Sequence, residues 1–433
     1  MTSAALNVLD ELYLHLNRPE EPWSVHLEIR VAGQIERDRL EAAVHEAARR
    51  HPLARARLAP ARATDVRYRW EIADELSAVD LVEVTGADDT ELDAARAELL
   101  SRTPDLDTPG PFAVLLFHSS SGDVIVLNLH HAAGDGLSAL RLMGSIARAY
   151  GGADDPVPDV DPLAVRDIDA LSTADSVRER VGRGRAALGY LGRGVDSPTR
   201  IVGHGGSERP GYGFALTSFS REEVTRLTEA REDGATLNDV LLAGLAVTIR
   251  RWNERHDDSG GDSIYLMMPI NLRPPEWRLE IVGNFASYVS VRIGGRHQGS
   301  LRQAVAGAAE STRRVKDGAV AGLIVELFTA PTLLPTGLKQ RMQSLIPLTG
   351  NVVVDTAVLS NLGRVTEVPV LGDAGPVQEL YFSPPGRMPL GASLGAATLG
   401  DRLFVTLRYR HPLFDAIAAE EFVDLFRQVL LDW

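Results

Sequence analysis

Apolar and polar positions recur in two different periods along the first part of the chain. From Val25 to Val31, the residues Val25, Leu27, Ile29 and Val31 fall on one face, as in a half-buried strand. From Ile35 to His51 the period lengthens, and Leu40, Val44 and Ala47 repeat at helical spacing. Strand patterns return at Tyr68 to Ile72 and at Phe112 to Phe117. The apolar run from Asp123 to Leu129 predicts a buried strand, and Leu137 to Tyr150 predicts an amphipathic helix directly after it.

Between Gly151 and about Ile201 this rhythm breaks. Asp and Pro dominate Asp154 to Pro162, and an arginine- and glycine-rich stretch follows with Arg178, Arg180, Arg183, Arg185 and Arg193. Such a segment predicts a crossover between two lobes, carrying one helix. Beyond it the pattern predicts a strand at Tyr212 to Ser218, a helix at Arg221 to Ala230 and a long apolar helix at Leu237 to Trp252. Strands at Ser263 to Pro269 and Ser287 to Ile293 come next, the second preceded by Gly283-Asn284-Phe285. The chain closes with a hairpin, Ser393 to Thr398 against Leu403 to Arg410, turned at Gly400-Asp401, and a helix from Ala416 to about Leu431. The expectation is an α/β protein with an N-terminal lobe over 1–165, a crossover linker over 166–205 and a C-terminal lobe over 206–433. The halves mix strands and helices alike but show no sequence repeat.

Composition narrows the classes of function. A chain of 433 residues is comfortable for two lobes. Its net charge of −14 argues against a general nucleic-acid or anionic-membrane surface. The absence of cysteine removes a thiol nucleophile, a disulfide framework and a thiolate metal site. Met1 to Asp10 has no basic region followed by an apolar core, and the best apolar run, Val240 to Ile249, is too short to span a bilayer. A cytoplasmic, monomeric protein is expected.

The candidate chemistry lies at His130-His131-Ala132-Ala133-Gly134-Asp135-Gly136, the corner between the Asp123 strand and the Leu137 helix. A histidine at such a corner is held rigidly and still reaches a cleft, which suits a general base. Successive strand side chains diverge, so one histidine faces the cleft and the other faces the packing. That divergence also makes the pair a poor chelate, and no metal is expected. His130 reads as structural, with an assisting role open. Asp135 reads either as a buried member of an ion pair or as a helix N-cap.

The HHxxxDG pattern resembles that of the thioester-dependent acyltransferases with the chloramphenicol acetyltransferase-like fold. These comprise condensation domains of peptide synthetases, polyketide-associated acyltransferases, wax ester/diacylglycerol acyltransferases and plant alcohol acyltransferases. The resemblance implies two related lobes, each a mixed β-sheet with flanking helices, with the active-site tunnel between them. It implies His131 as base and Asp135 as the orienting carboxylate. Arg50-His51-Pro52-Leu53-Ala54-Arg55-Ala56-Arg57-Leu58 is similar to the condensation pattern RHExLRTxF, and places Arg55 as the ion-pair partner of Asp135. Thr236 to Ala243 looks like the Asn-Asp segment of the wax ester synthase branch. Val282-Gly283-Asn284-Phe285 is similar to a glycine-asparagine motif of both branches. Asn238, Gly283 and Asn284 are therefore candidate substrate contacts, with caps or turns as the alternative. The serine-glutamine opening and the YxDYAVW-like segment of synthetase modules are missing, so a free-standing enzyme is expected.

The implied reaction moves an acyl group from a thioester donor to a hydroxyl or amine, in natural-product or lipid biosynthesis. No cofactor is expected to stay bound; the donor itself carries phosphopantetheine, as CoA or on a carrier protein. Peptidyl or aminoacyl condensation is the second reading, and a catalytically silent carrier-docking module the third. Arg183 and Arg185 are candidate donor-phosphate contacts, with a solvated helix face as the alternative. The Gly136 N–H, at a helix start, is the candidate oxyanion donor. Gly391-Ala392-Ser393-Leu394-Gly395 matches GxSxG, but prolines precede it and the hairpin follows it. Small residues packing a strand fit better than a nucleophile elbow.

Overall fold

The structure is a computed structural model that describes residues 2–86, 88–156, 158–172, 181, 183, 198–231, 234–256, 263–277, 279–295, 299–317, 322, 325, 329, 332–343 and 354–433. Its first half contains β1 (Thr2–Ala5), α1 (Val8–Leu16), β2 (Ser24–Val31), α2 (Arg37–Arg50), β3 (Ala56–Leu58), β4 (Arg69–Ile72) and β5 (Leu81–Thr85). These are followed by α3 (Asp89–Leu100), β6 (Phe112–His118), β7 (Val124–His130) and α4 (Gly136–Gly151). The second half contributes β8 (Tyr212–Phe219), β9 (Ser263–Asn271), β10 (Ala286–Gly294) and β11 (Ala357–Val365). It continues with β12 (Val377–Ser383), β13 (Ala392–Leu399) and β14 (Arg402–Arg410). Helices at Arg221–Glu229, Leu237–Arg255, Leu301–Asp317 and Ala416–Leu431 flank them.

Two large sheets define the lobes, in the orders β12-β2-β7-β6-β5 and β10-β9-β11-β13-β14-β8. A small sheet, β1-β4-β3, sits beside the first. Both large sheets are mixed: β5 and β6 run parallel in the first, and β11 runs parallel to β9 and β13 in the second. Two α/β lobes are thus present as expected. Their sheets do not follow the chain, however. β12 of the second half crosses to pair antiparallel with β2, Leu380 opposite Ile29 and Phe382 opposite Leu27. The 206–433 segment therefore completes the sheet of the first lobe.

Why β12 fits there is a matter of close approach. At Gly395 on β13, any side chain would overlap the Phe382 carbonyl oxygen, so only glycine lets β12 and β13 meet. Phe382 and Leu380 then join the core that α2 and α4 make with the first sheet. A second core lies between the six-stranded sheet and the Leu237–Arg255 and Ala416–Leu431 helices. A smaller cluster joins Val8, Leu9, Leu12 and Tyr13 of α1 to Ile168, Ile281 and Phe285. This third cluster ties the two halves of the chain together beside the end of β7.

The alternation along β2 is real, but its polar face is not wet. His26 and Glu28 are both buried, and Arg96 of α3 forks onto Glu28 at 2.7 and 2.8 Å. The terminal hairpin forms as predicted, with Leu399 opposite Arg402 and Gly400 at φ +58° in the turn. Ser393 lies inside β13 with its hydroxyl donating to Pro385 O at 3.3 Å, a packed strand residue rather than an elbow. Among the described residues no helix is long and apolar enough to cross a membrane.

Candidate active site

The corner after β7 is built by its own backbone. His130 N–H donates to Pro111 O at 2.9 Å, and Ala133 N–H closes the turn onto His130 O at 2.9 Å. The His130 ring bends back over this turn, its Nδ1 accepting from Ala132 N–H at 3.0 Å. Burial, with a smaller contribution from His131, pushes the His130 ring down to about pKa 3. The His130 ring is thus buried, neutral and bonded to its own turn.

His131 faces the other way. Its N–H donates to Trp23 O at 3.1 Å, and its ring stacks on Tyr13 of α1 with centroids 3.9 Å apart and planes 29° apart. The Tyr13 hydroxyl is itself anchored to Ala286 O at 2.9 Å. Asn284 Nδ2 donates to His131 O at 2.8 Å, to Ala132 O at 2.9 Å and to Asp10 Oδ1 at 3.1 Å. His131 is 9 % exposed, and its Nδ1 is buried with no hydrogen-bond partner among the described residues. Burial lowers the ring's pKa to about 4, against a partial pull upward from its own carbonyl, Asp135 and Asn284. At neutral pH the imidazole is thus a free base.

Asp135 fulfils both roles foreseen for it. As N-cap of α4 it accepts from Ser138 N–H at 3.0 Å and from the Ser138 hydroxyl at 2.9 Å. It also forms a buried ion pair, but the partner is Arg273, at 2.7 Å to Oδ2 and 3.0 Å to Oδ1. Phe285 N–H adds a contact at 3.0 Å. Burial alone would raise this carboxyl, but the Arg273 guanidinium and the two amides outweigh it and hold it below its ordinary value.

The expected Arg55 pair is therefore corrected. Arg55 donates to Ala48 O at 2.9 Å, Ala73 O at 2.7 Å and Asp74 O at 2.5 Å, closing the junction between α2 and β4. Three backbone carbonyls at the end of a helix and of a strand satisfy its fork before any carboxylate is reached. Arg273 lies just past β9 and stacks over Phe285 at 4.4 Å. Its only sequence signal was an arginine between a strand and Pro274-Pro275, 138 residues away from Asp135.

The other candidates divide. Gly283 O accepts from Arg273 Nη2 at 2.8 Å and from Ser138 Oγ at 2.7 Å, so the Gly283-Asn284 segment is the second half's brace for the corner. Asn284, fully buried, holds the histidine turn instead of lining a substrate surface. Asn238 lies apart, in the first turn of the Leu237–Arg255 helix, with Nδ2 3.0 Å from Met268 Sδ. Gly136 opens α4, where a Cβ would crowd Leu362 and Phe382. Arg183 is only 5 % exposed, so it is not part of an open basic surface; Arg185, Arg178, Arg180 and Arg193 lie outside the described residues. Sequence reasoning missed Tyr13, Asp10, Trp23 and Arg273, none of which sits near the motif in the chain.

Two α/β lobes with a neutral histidine at the end of a strand and a buried aspartate–arginine brace define a condensation-type fold. The condensation-domain family model matches residues 12–162. An uncharacterized protein of Mycobacterium tuberculosis is 35 % identical over 433 residues, 98 % of each chain. A putative diacylglycerol O-acyltransferase of the same organism is 29 % identical over 244 residues, covering 49 % of this chain and 50 % of that one. The first condensation domain of the CDA synthetase superposes with TM-score 0.73 at 16 % identity, over 100 % of this chain and 97 % of that one. The chain belongs to the condensation-domain superfamily, which also takes in the wax ester/diacylglycerol acyltransferases.

Proposed function

We propose that this protein transfers an acyl group from a thioester donor to a hydroxyl or amine acceptor. The observation that carries the reading is His131: an imidazole kept neutral by burial at the end of β7, stacked on Tyr13, with its turn held by Asn284. Nε2 takes the proton of the acceptor O–H or N–H as the acceptor attacks the thioester carbonyl. The tetrahedral oxyanion collapses, the C–S bond breaks, and the proton passes to the departing thiolate. Ester or amide plus free thiol result, and no enzyme-bound acyl intermediate is required. Asp135 is a positioning residue, locked by Arg273 and pointing its oxygens at α4 and Phe285. The Gly136 N–H remains the proposed oxyanion donor, resting on its place in the first turn of α4.

Family membership supports acyl transfer in general, and the donor is proposed to carry phosphopantetheine, as CoA or on a carrier protein. A silent docking module would have no need of a base kept neutral and braced. The test is a panel of acyl-CoA, acyl-carrier and N-acetylcysteamine thioesters, offered with amine and alcohol acceptors and read by mass spectrometry. An acceptor-dependent ester or amide with stoichiometric thiol release is expected. Release of thiol at the uncatalysed rate with every donor–acceptor pair would overturn the proposal.

A further inference from the structure

Arg408 of β14 is 1 % exposed and forms no ion pair with a carboxylate among the described residues. A buried cation in that condition is costly unless its geometry or its field is used. Its Nη1 donates to Ser24 O at 2.8 Å and its Nη2 to Pro22 O at 2.9 Å. The carbonyl between those two, Trp23 O, takes the N–H of His131. The second half thus grips one short segment at two alternate carbonyls, and the base hangs from the middle one. The grip is stiff: Arg408 stacks 3.8 Å above Tyr212, whose hydroxyl is tied to Gly386 O at 2.5 Å. Glu21, just upstream, is held by Arg387 and Arg410 at 3.6 Å and accepts from Met388 N–H at 3.0 Å.

We infer that Arg408 is a positioning residue for His131, fixing from the second lobe the Pro22–Ser24 segment on which the base hangs. The planar guanidinium suits this task, because its rigid fork sends Nη1 and Nη2 to two separate carbonyls in one fixed geometry, which a single ammonium nitrogen does not reproduce. Its charge acts in the same direction: burial brings Arg408 down only to about 10, so it stays cationic at neutral pH, and it disfavours a proton on His131. The other titratable or charged groups around that ring are Tyr13, Asp10, His130, Asp135 and Arg273, with Tyr288 beside Tyr13.

This inference rests on His131 being the base, but its test does not need turnover. Histidine-labelled protein is followed by NMR, with the His131 signal assigned by its loss in His131→Gln, and backbone amide exchange is measured alongside. In Arg408→Met the His131 pKa should rise, the direction that loss of a nearby like charge gives. The His131 amide should exchange about tenfold faster, while amides of the β13–β14 ladder keep their rates. Arg408→Lys keeps the charge but loses the rigid two-nitrogen fork, so the amide should exchange faster with the titration near that of the parent. Where transfer is measurable, kcat should fall about 10²-fold with KM little changed, as for a misplaced catalytic group. Unchanged His131 titration and exchange in folded Arg408→Met would overturn the inference. So would a uniform rise in exchange across both lobes, the mark of a merely structural residue. Intact coupling in a protein without transferase activity would instead remove the proposed function and leave the coupling standing.

Discussion

The two histidines of one motif do different work because a strand turns them apart. His130 closes its own turn, and the His131 ring stacks on Tyr13 of α1. His130→Ala should therefore cost stability through a cavity and an unpaired Ala132 N–H, without removing chemistry; urea unfolding beside a turnover assay separates the two effects. At the brace, Asp135→Asn or Arg273→Ala should each cost about 3–5 kcal/mol, because the partner is left buried and unpaired. A double-mutant cycle should show strong coupling between 135 and 273, and none between 135 and 55. The histidines and Asp135 were legible in the sequence because they fall within seven consecutive positions, 130–136, at a strand-to-helix corner. Arg273 was not, since what selects it is proximity in space, and Arg55 carried the more suggestive local motif.

At the scale of elements, segments with a regular apolar period or a plain turn signal were read correctly: β2, α2, β9, β10, the β13–β14 hairpin and the last helix. Elements without such a signal escaped. α1 has Asp10 and Glu11 buried among its apolar residues, so no clean stripe marks it. Asp10 pairs with Arg166 and accepts hydrogen bonds from Asn284 and Trp70, all distant in sequence. β12 escaped for another reason. Its alternation says strand, but nothing local says that its partner is β2, hundreds of residues upstream. The Gly395–Phe382 contact is the hinge of that crossing. Gly395→Ala should force β12 and β13 apart and destabilise by about 1–3 kcal/mol, a typical overpacking cost; an unchanged urea midpoint would mean the strands yield freely.

Across the whole molecule, four buried histidines share one electrostatic consequence. Burial pushes His26 well below its ordinary value, His51 and His130 to about 3, and His131 to about 4. The unfolded chain takes protons at these rings near pH 6.5, while the folded chain keeps them neutral to about 3–4. The unfolded state therefore binds more protons across that window, so stability is fully present above about pH 6.5 and is lost as pH falls below it. His118 opposes the trend: burial pulls it down, but Glu83 and Asp123 outweigh this and raise it. Urea midpoints should fall steeply from pH 6.5 to pH 5, and a flat profile would place these rings in water. The same neutrality makes His131 serviceable as a base. The most direct measurement is the pH–rate profile of acyl transfer for the parent protein and for His131→Gln. The account predicts a parent rate that is level near neutrality and declines toward pH 4, and a His131→Gln rate lower by about 10²- to 10⁴-fold with the fold intact. Parent-like turnover by folded His131→Gln would contradict it.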